Sequence, residues 1–435
     1  MAVSHPSRGL VALTAATLLL GEPWAIAAPG DLDPTFGGDG IVLTDIGNGT
    51  GTIDVLHAIA VQPDGMIVAV GDSQNNFAVA RYVTDGDLDP TFGGDGTVVT
   101  PIGVSDDEAF GVAIQSDDKV VVVGRSIQNN LGYDFAVARY ETDGDLDPTF
   151  GGGDGLVTTA LHLGDDYAID VAVQPDGGIV AAGFTGGDTN TKFAIVRYES
   201  DGDLDPTFSG DGIKSTNFNK LGDFAKAVTL QDDGGIVAAG SARVPGKGDD
   251  IAVARYTSSG ELDPTFSQDG KIKTSLGPDW DYANDAAILP NGKILVAGCA
   301  HCFGAQGGSF MLARYRTGGS LDPRFSGDGV QTTGYGSGDD IVYGIGLLPD
   351  GSIAAGGCSA CFSNFDVFAV ARYLKNGTLD SAFSSNGKTT TDLGPGVTGD
   401  PGQALIVQSD GAIVVGGCAA CYSDASDFGL AMYLP

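Results

Sequence analysis

Short hydrophobic runs recur along the chain and alternate with turns rich in Gly, Asp and Pro. In one period the runs cover residues 56–62, 66–71, 77–82 and 97–102, and Val, Ile, Ala, Phe and Tyr dominate them. Runs of this kind, bounded by Gly, Asp and Pro, are typical of β-strands. The pattern therefore predicts four short strands per period, and it predicts no amphipathic helix outside the first residues.

The period is marked by the motif Leu-Asp-x-x-Phe. The motif begins at seven leucines, spaced 56 to 59 residues apart: Leu32, Leu88, Leu146, Leu204, Leu262, Leu321 and Leu379. A fixed period of this length is typical of solenoid and propeller arrays. Seven copies of four antiparallel strands predict an all-β fold, a seven-bladed β-propeller, in which radial repetition leaves only short, protected strand edges.

The two ends of the array are predicted to complete one blade. We name the strands of a blade A to D, from the central channel outward. The array begins with a lone D strand at 41–46 and ends with A, B and C strands at 404–408, 412–417 and 428–433. We expect the strand at 41–46 to pair with 428–433 and to close the ring, which protects both edges from other chains.

The repeat resembles the delta-60 repeat family of exported bacterial β-propeller proteins. The resemblance rests on Leu-Asp-x-x-Phe, the Gly-Asp/Asn-Gly after it, the Gln/Leu-x-Asp/Asn-Gly turn and the Phe-Ala-Val-Ala-Arg-Tyr strand, and it covers nearly all of residues 28–435. It implies a propeller fold and export. Because the family has no assigned reaction, the resemblance transfers no catalytic residue to this chain.

The N-terminus has the pattern of an export signal. Arg8 precedes an apolar run at residues 10–20, and Ala25-Ile26-Ala27 fits a small-x-small cleavage site. The apolar run is too short to span a membrane. The sequence thus predicts a signal peptide at 1–27 and a single propeller domain at 28–435. The expected location is the periplasm, the extracellular medium or the cell surface.

The chain is strongly acidic, with 56 Asp and Glu against 22 Lys and Arg and a net charge of -34. A surface of this sign repels nucleic acids and anionic lipids, and it attracts cations or basic partners. We therefore expect a monomer with no nucleic-acid partner and no membrane span. Its ligand would be a protein, a glycan or a small molecule.

Seven aspartates recur at the start of strand A, eight residues before the Gln or Leu that opens the A–B turn: Asp54, Asp107, Asp166, Asp223, Asp281, Asp340 and Asp400. Because strand A is innermost, these carboxylates are expected at one mouth of the channel. Two interpretations stay open. Each carboxylate accepts backbone N–H groups and locks the ring, or the ring binds a cation or a basic ligand. No cofactor is predicted, and calcium is the ion that the second interpretation implies.

An arginine recurs in strand C of six repeats, and the seventh repeat has Met432 instead: Arg81, Arg139, Arg197, Arg255, Arg314 and Arg372. We expect each arginine to pair with a carboxylate or to pack its stem between blades. This position is interpreted as part of the scaffold.

All six cysteines lie in the B–C loops of the last three repeats, as three Cys-x-x-Cys pairs: Cys299 and Cys302, Cys358 and Cys361, and Cys418 and Cys421. An even number of closely paired cysteines in an exported protein favours disulfides. A zinc site would have only His301 to add to the sulfurs. A redox Cys-x-x-Cys normally opens a helix, whereas these follow strands. Disulfides are the prediction, with metal and redox roles as alternatives.

No hydrolase motif is present. The histidines after the signal, His57, His162 and His301, lie in three different repeats, and the sequence predicts no histidine or lysine that converges on the recurring aspartates. The D–A and B–C loops vary between repeats, and variable loops on a constant scaffold usually carry function. The sequence predicts a non-catalytic binding or surface-structural module that uses this face. The alternative is a secreted, metal-assisted hydrolase or lyase at the channel mouth.

Overall fold

The computed structural model describes residues 27–46, 53–128, 132–162, 164–186, 190–219, 221–363, 365–394, 399–421 and 425–435. The predicted signal peptide lies outside these residues, apart from Ala27. All the regular secondary structure in the described part of the chain is β-strand, arranged as seven four-stranded antiparallel sheets. No helix in that part is long and apolar enough to cross a membrane. The predicted all-β, seven-bladed propeller is confirmed.

Each blade contributes one strand to each of four concentric positions. The innermost A strands are β2 (Asp54–Val61), β6 (Glu108–Ile114), β10 (Asp166–Val173), β14 (Asp223–Leu230), β18 (Trp280–Ile288), β22 (Asp339–Leu347) and β26 (Gly402–Val407). The B strands are β3 (Ile67–Ser73), β7 (Val120–Ser126), β11 (Ile179–Thr185), β15 (Ile236–Arg243), β19 (Ile294–Cys302), β23 (Ile353–Cys361) and β27 (Ile413–Ala419).

The outer half of each blade has the same regularity. The C strands are β4 (Asn76–Tyr82), β8 (Asp134–Tyr140), β12 (Lys192–Tyr198), β16 (Asp249–Tyr256), β20 (Ser309–Tyr315), β24 (Val367–Tyr373) and β28 (Asp427–Tyr433). The D strands have four residues each: β5 (Thr97–Thr100), β9 (Leu156–Thr159), β13 (Ile213–Thr216), β17 (Lys271–Thr274), β21 (Val330–Thr333), β25 (Lys388–Thr391) and β1 (Ile41–Thr44).

The ring closes as predicted. Strand β1 pairs antiparallel with β28, with Ile41 opposite Ala431 and Thr44 opposite Phe428. The N-terminal strand therefore supplies the D strand of blade 7, the sheet that contains β26, β27 and β28. It is two residues shorter than predicted, because the N–H of Ile46 donates to the side chain of Asp54 instead of continuing the ladder.

The core lies between the blades, where strands B and C are almost wholly buried. Each strand C ends in a buried tyrosine whose hydroxyl bonds a D-strand threonine of the preceding blade. Examples are Tyr140 with Thr100 at 2.8 Å, and Tyr82 with Thr44 of the closing strand at 2.9 Å. Burial raises the pKa of both phenols well above the usual value. These bonds join neighbouring blades and give each of these buried phenol hydroxyls a partner.

Strand A of every blade contains a β-bulge, three residues after the recurring aspartate. The bulge brings the backbone of strand A close to strand B, where only glycine fits. A Cβ at Gly71 would lie 1.8 Å from the carbonyl oxygen of Val55, and one at Gly183 would lie 1.8 Å from that of Tyr167. The extra residue of a bulge is left unpaired in the ladder, which re-aims its side chain.

Candidate functional site: the central channel

The bulged residues of the seven blades surround the centre of the ring. We call them the channel ring: His57, Phe110, Ile169, Lys226, Asn284, Tyr343 and Gln403. They line a cavity of about 430 Å³, together with Asp170 and Asp285. Each blade contributes a different residue type at this equivalent position. The ring is therefore chemically asymmetric, although the blades that carry it repeat one another closely.

His57 is held by polar neighbours on both ring nitrogens. Its Nδ1 lies 2.9 Å from Oε1 of Gln403, and its Nε2 lies 3.2 Å from Oδ1 of Asp72. The imidazole also packs against the ring of Phe110, with 5.2 Å between the centroids. These contacts fix the orientation of the imidazole, and the tautomer decides which nitrogen donates.

Lys226 supplies an amine to the channel ring. Its Nζ donates to Oδ1 of Asn284 at 3.0 Å and lies 4.6 Å from the ring centroid of Tyr282. Burial lowers the pKa of Lys226 to about 8, against the opposing effect of the Asp249 carboxylate. The amine can therefore exchange a proton near neutral pH.

Asp170 and Asp285 lie on the channel wall, one residue after the bulge in blades 3 and 5. Each carboxylate bridges two backbone N–H groups of adjacent blades. Asp170 accepts from Val171 at 2.8 Å and from Val228 of the next blade at 2.7 Å. Burial raises the pKa of Asp170 to about 6 and that of Asp285 to about 7, and the charge of Asp170 adds to the second shift.

These two shifts predict a pH dependence of stability. The folded-state pKa values of Asp170 and Asp285 lie above the unfolded value of about 4, so the folded protein favours the protonated form. Their contribution to stability is present at low pH and is lost as the pH rises through 6 to 7. We expect the melting temperature to fall between pH 5 and pH 8. In the double variant Asp170→Ala/Asp285→Ala this slope should flatten. An equal slope in both proteins would contradict the assignment.

The seven recurring aspartates lie at the start of strand A and do not line this cavity. All seven are at most 1 % exposed. Each accepts an N–H bond from the loop before its strand, from Ile46, Ile102, Leu161, Phe218, Leu276, Tyr335 and Leu393 respectively. These contacts agree with the interpretation of the aspartates as backbone acceptors. Binding of a cation or a basic ligand by this ring stays a prediction.

At the junction of blades 7 and 1, Asp54 has two acidic neighbours. Oxygen atoms of Asp45, Asp54 and Asp427 lie within 4.8 Å of one another, and Oδ1 of Asp54 is buried without a hydrogen-bond partner. Burial, followed by the charges of Asp45 and Asp54, raises the pKa of Asp427. Calcium binding stays a prediction, and among the described residues this is the group of three carboxylates with suitable spacing.

The structure joins the three predicted cysteine pairs as disulfides, with Cα–Cα distances of 6.0 Å for Cys299–Cys302, 5.5 Å for Cys358–Cys361 and 5.6 Å for Cys418–Cys421. The residue after the first two bridges is a phenylalanine in the left-handed region, Phe303 at φ 59° and Phe362 at φ 63°. Both rings are exposed, and Phe303 contacts Trp280 edge-on at 5.7 Å between centroids. The bridges therefore display an aromatic patch on the loop face.

Sequence reasoning missed the channel ring, whose members follow the recurring aspartates by three residues, as His57 follows Asp54. The expectation that no histidine approaches those aspartates is wrong at one site, where Nδ1 of His301 lies 3.9 Å from Oδ1 of Asp281. The signal was present in the repeats. When the repeats are aligned on the recurring aspartate, the third residue after it differs in all seven.

The fold is that of a repeat-built β-propeller. Six segments match the family model described as "Domain of unknown function (DUF5122) beta-propeller": residues 62–92, 115–150, 174–208, 231–266, 289–325 and 348–383. The chain belongs to this family, which confirms the resemblance drawn from the repeats. Every matched segment begins at the A–B turn and ends at the Phe of Leu-Asp-x-x-Phe. Strand A, and with it the channel ring, lies outside the matched segments.

Several solved structures are similar to the chain at low identity. Virginiamycin B lyase from Staphylococcus aureus, a catalytically inactive variant with quinupristin, is 12 % identical with a TM-score of 0.49 over 91 % of this chain and 99 % of that one. Puromycin hydrolase is 15 % identical with a TM-score of 0.47, over 90 % and 53 %. The α-L-arabinofuranosidase Arb93A from Fusarium graminearum is 7 % identical with a TM-score of 0.45, over 75 % and 93 %. Similarity at this level carries no information on what the channel binds. No curated protein matches the sequence.

Proposed function

We propose that this protein is an exported, non-catalytic binding protein that holds a small molecule in its central channel. The observation that carries the proposal is the channel ring, with seven different side chains at one equivalent position. A purely structural role would be met by one residue type in all blades. An asymmetric set of donors, acceptors and apolar groups is what orients a ligand.

The chemistry and size of the cavity support a small ligand over a protein or a polymeric glycan. Phe110 and Ile169 form an apolar wall, while Lys226, Asn284 and Gln403 supply polar groups. A volume of about 430 Å³ falls within the roughly 300–1,000 Å³ of small-molecule sites. We expect a ligand with one apolar face and several hydrogen-bonding groups.

Export is supported by the N-terminal signal pattern and by the three disulfides, because disulfides persist mainly in oxidising compartments. The ligand would then be a molecule present outside the cytoplasm. The excess of acidic residues over basic ones is consistent with a protein that stays dispersed in that environment.

One observation favours a secreted enzyme as the second candidate. Lys226 and Asp285 have pKa values of about 8 and about 7 and line the same cavity, and groups that titrate near neutrality suit acid–base catalysis. Binding remains the better-supported function. Both oxygens of Asp285 already accept backbone N–H groups, from Ala286 at 2.6 Å and Ile345 at 2.7 Å.

The proposal is tested by a substitution that fills the channel cavity. In Ile169→Trp the larger side chain would fill the cavity, whereas Val99→Trp adds the same group on strand D, where the native residue is exposed. Native mass spectrometry would compare both variants with the wild type against one defined library of sugars, amino acids, organic acids and nucleosides. We expect compounds that bind the wild type and Val99→Trp but not Ile169→Trp. A library without any ligand, or ligands that bind equally to Ile169→Trp, would contradict the proposal.

A further inference from the structure

The second residue after the bulged one has the same register to strand B in every blade. In blades 3 to 6 its backbone N–H donates to a carboxylate in the channel, and the equivalent register places the N–H of the other three blades on the same side. In blade 3 this residue is Val171, and it pairs with Ala181 across the ladder. Antiparallel pairs alternate between hydrogen-bonded and non-hydrogen-bonded positions. The N–H of Val171 donates to Asp170 on the channel side, not to strand B, so this pair is a non-hydrogen-bonded one.

Four of the seven channel-facing N–H groups have a carboxylate partner in the protein. Those of Val171 and Val228, in blades 3 and 4, donate to Asp170. Those of Ala286 and Ile345, in blades 5 and 6, donate to Asp285. One carboxylate thus serves two adjacent blades, at N–O distances of 2.6 to 2.8 Å.

The other three groups belong to Leu405, Ile59 and Val112, in the consecutive blades 7, 1 and 2. The residues before them are Ala404, Ala58 and Gly111, which carry no acceptor. In the described part of the chain no side chain accepts a hydrogen bond from these three N–H groups. All six residues except Gly111 line the channel cavity. A polar backbone group that faces a narrow cavity without a partner is costly, and a bound ligand can supply that partner.

We propose that the N–H groups of Leu405, Ile59 and Val112 bind the carboxylate of a small organic acid in the channel. The inference rests on the proposed function and specifies its ligand class. Asp170 and Asp285 are the internal templates, because each places a carboxylate between the same N–H groups of adjacent blades. Backbone N–H groups that converge on a carboxylate form a recurrent capture site, and bonds to a charged acceptor are the stronger ones.

Two side chains of the channel ring are placed to complete this site. His57 and Gln403 are the bulged residues of blades 1 and 7, directly before Ala58 and Ala404. Their side chains contact each other, with 2.9 Å between Nδ1 of His57 and Oε1 of Gln403. The NH2 group of Gln403 adds a donor beside the three N–H groups, and His57, whose two ring nitrogens contact Gln403 and Asp72, holds that amide in place. The channel wall also carries Asp170 and Asp285, which in their ionised forms would repel a second carboxylate, so we expect one acid group per ligand.

The substitution Ala58→Asp tests the inference by supplying the carboxylate from the protein. Ala58 follows the bulged residue of blade 1, as Asp285 follows that of blade 5. In both cases the neighbouring blades have Ala or Gly at the equivalent position. An aspartate at position 58 would reach the N–H groups of Ile59 and Val112. The matched control is Ala227→Asp, because both N–H groups within its reach, those of Val228 and Ala286, already donate to carboxylates.

The probe is sodium acetate, compared with sodium chloride at equal ionic strength, and the readout is the melting temperature. We expect acetate to raise that of the wild type by about 2 °C or more. Ala58→Asp should melt higher than the wild type in chloride and should lose the response to acetate. Ala227→Asp should melt lower than the wild type and keep the response.

The inference is overturned if acetate has no effect on the wild type, or if Ala58→Asp melts as low as Ala227→Asp. Its failure can be told apart from failure of the proposed function. Suppose that neutral compounds bind the wild type but not Ile169→Trp, and that acetate has no effect on the wild type. The channel is then a binding site for another ligand class, and only the carboxylate inference fails. If library compounds bind equally to Ile169→Trp, the channel site itself fails, whatever the Asp variants show.

Discussion

Removal of residues 27–46 is expected to open the propeller and to lower the free energy of unfolding by about 5 kcal/mol or more. The deletion takes away β1, the ladder partner of β28. It also removes the fully buried ring of Phe36 and the Thr44 hydroxyl that bonds Tyr82. Loss of a buried phenylalanine alone typically costs about 3–5 kcal/mol.

The truncated protein would expose β28 as an unpaired edge, so we expect it to associate as well as to melt earlier. Size-exclusion chromatography and thermal melting would measure the two effects. A synthetic peptide of residues 27–46, added in excess, provides the control, because it should restore the monomer and part of the melting temperature. A truncated protein that stays monomeric and melts like the full chain would contradict the closure.

The substitution Arg139→Met is expected to cost about 2–3 kcal/mol, less than the roughly 3–5 kcal/mol of a buried charge left without any partner, because Lys119 still pairs with Asp147 at 2.8 Å. Nε of Arg139 lies 2.6 Å from Oδ2 of Asp147, and its guanidinium lies 4.5 Å from the ring centroid of Phe150. The Asp147 carboxylate has no exposed surface. Lys119 and Arg139 together hold the pKa of Asp147 well below its usual range.

Urea denaturation of Arg139→Met would give this energy, and Arg316→Met is the matched control. The side chain of Arg316 is 52 % exposed and lies 3.9 Å from the Asp322 carboxylate, so its loss should change stability by less than about 1 kcal/mol. A similarly small change in Arg139→Met would contradict the scaffold role of the strand-C arginines. Met432 stands at this position of blade 7, where its backbone pairs with Asp33 and Gly40 of the N-terminal segment.

The architecture could be predicted from the sequence because each blade repeats the same local pattern. Alternating apolar residues and the Leu-Asp-x-x-Phe period defined the strands and the closing pair. Strand ends were less certain. The D strand predicted at 97–102 ends at Thr100, since the N–H of Ile102 donates to Asp107. A side-chain acceptor just beyond the following loop competes with the ladder, and a strand pattern does not reveal that competition.

Aligned repeats mark the variable position of the channel ring, but its geometry could not be predicted, because a β-bulge has no pattern of its own. Regular alternation does not indicate that His57 or Lys226 is an extra residue in strand A. The exposure of the Phe303 ring could not be predicted from the sequence for a similar reason. The cysteine spacing indicated the bridge, but not the left-handed backbone that exposes the ring. In both cases the functional candidate lies where the chain departs from its regular geometry.

The most direct test of the channel as a binding site is a crystal structure of the wild-type protein with a bound compound. The compound is one that binds the wild type and Val99→Trp but not Ile169→Trp. We predict that the compound lies in the central channel, within hydrogen-bonding distance of Lys226 or Gln403 and in contact with Phe110. A compound found instead on the loop face, for example against Phe303 and Phe362, with an empty channel, would contradict the central claim.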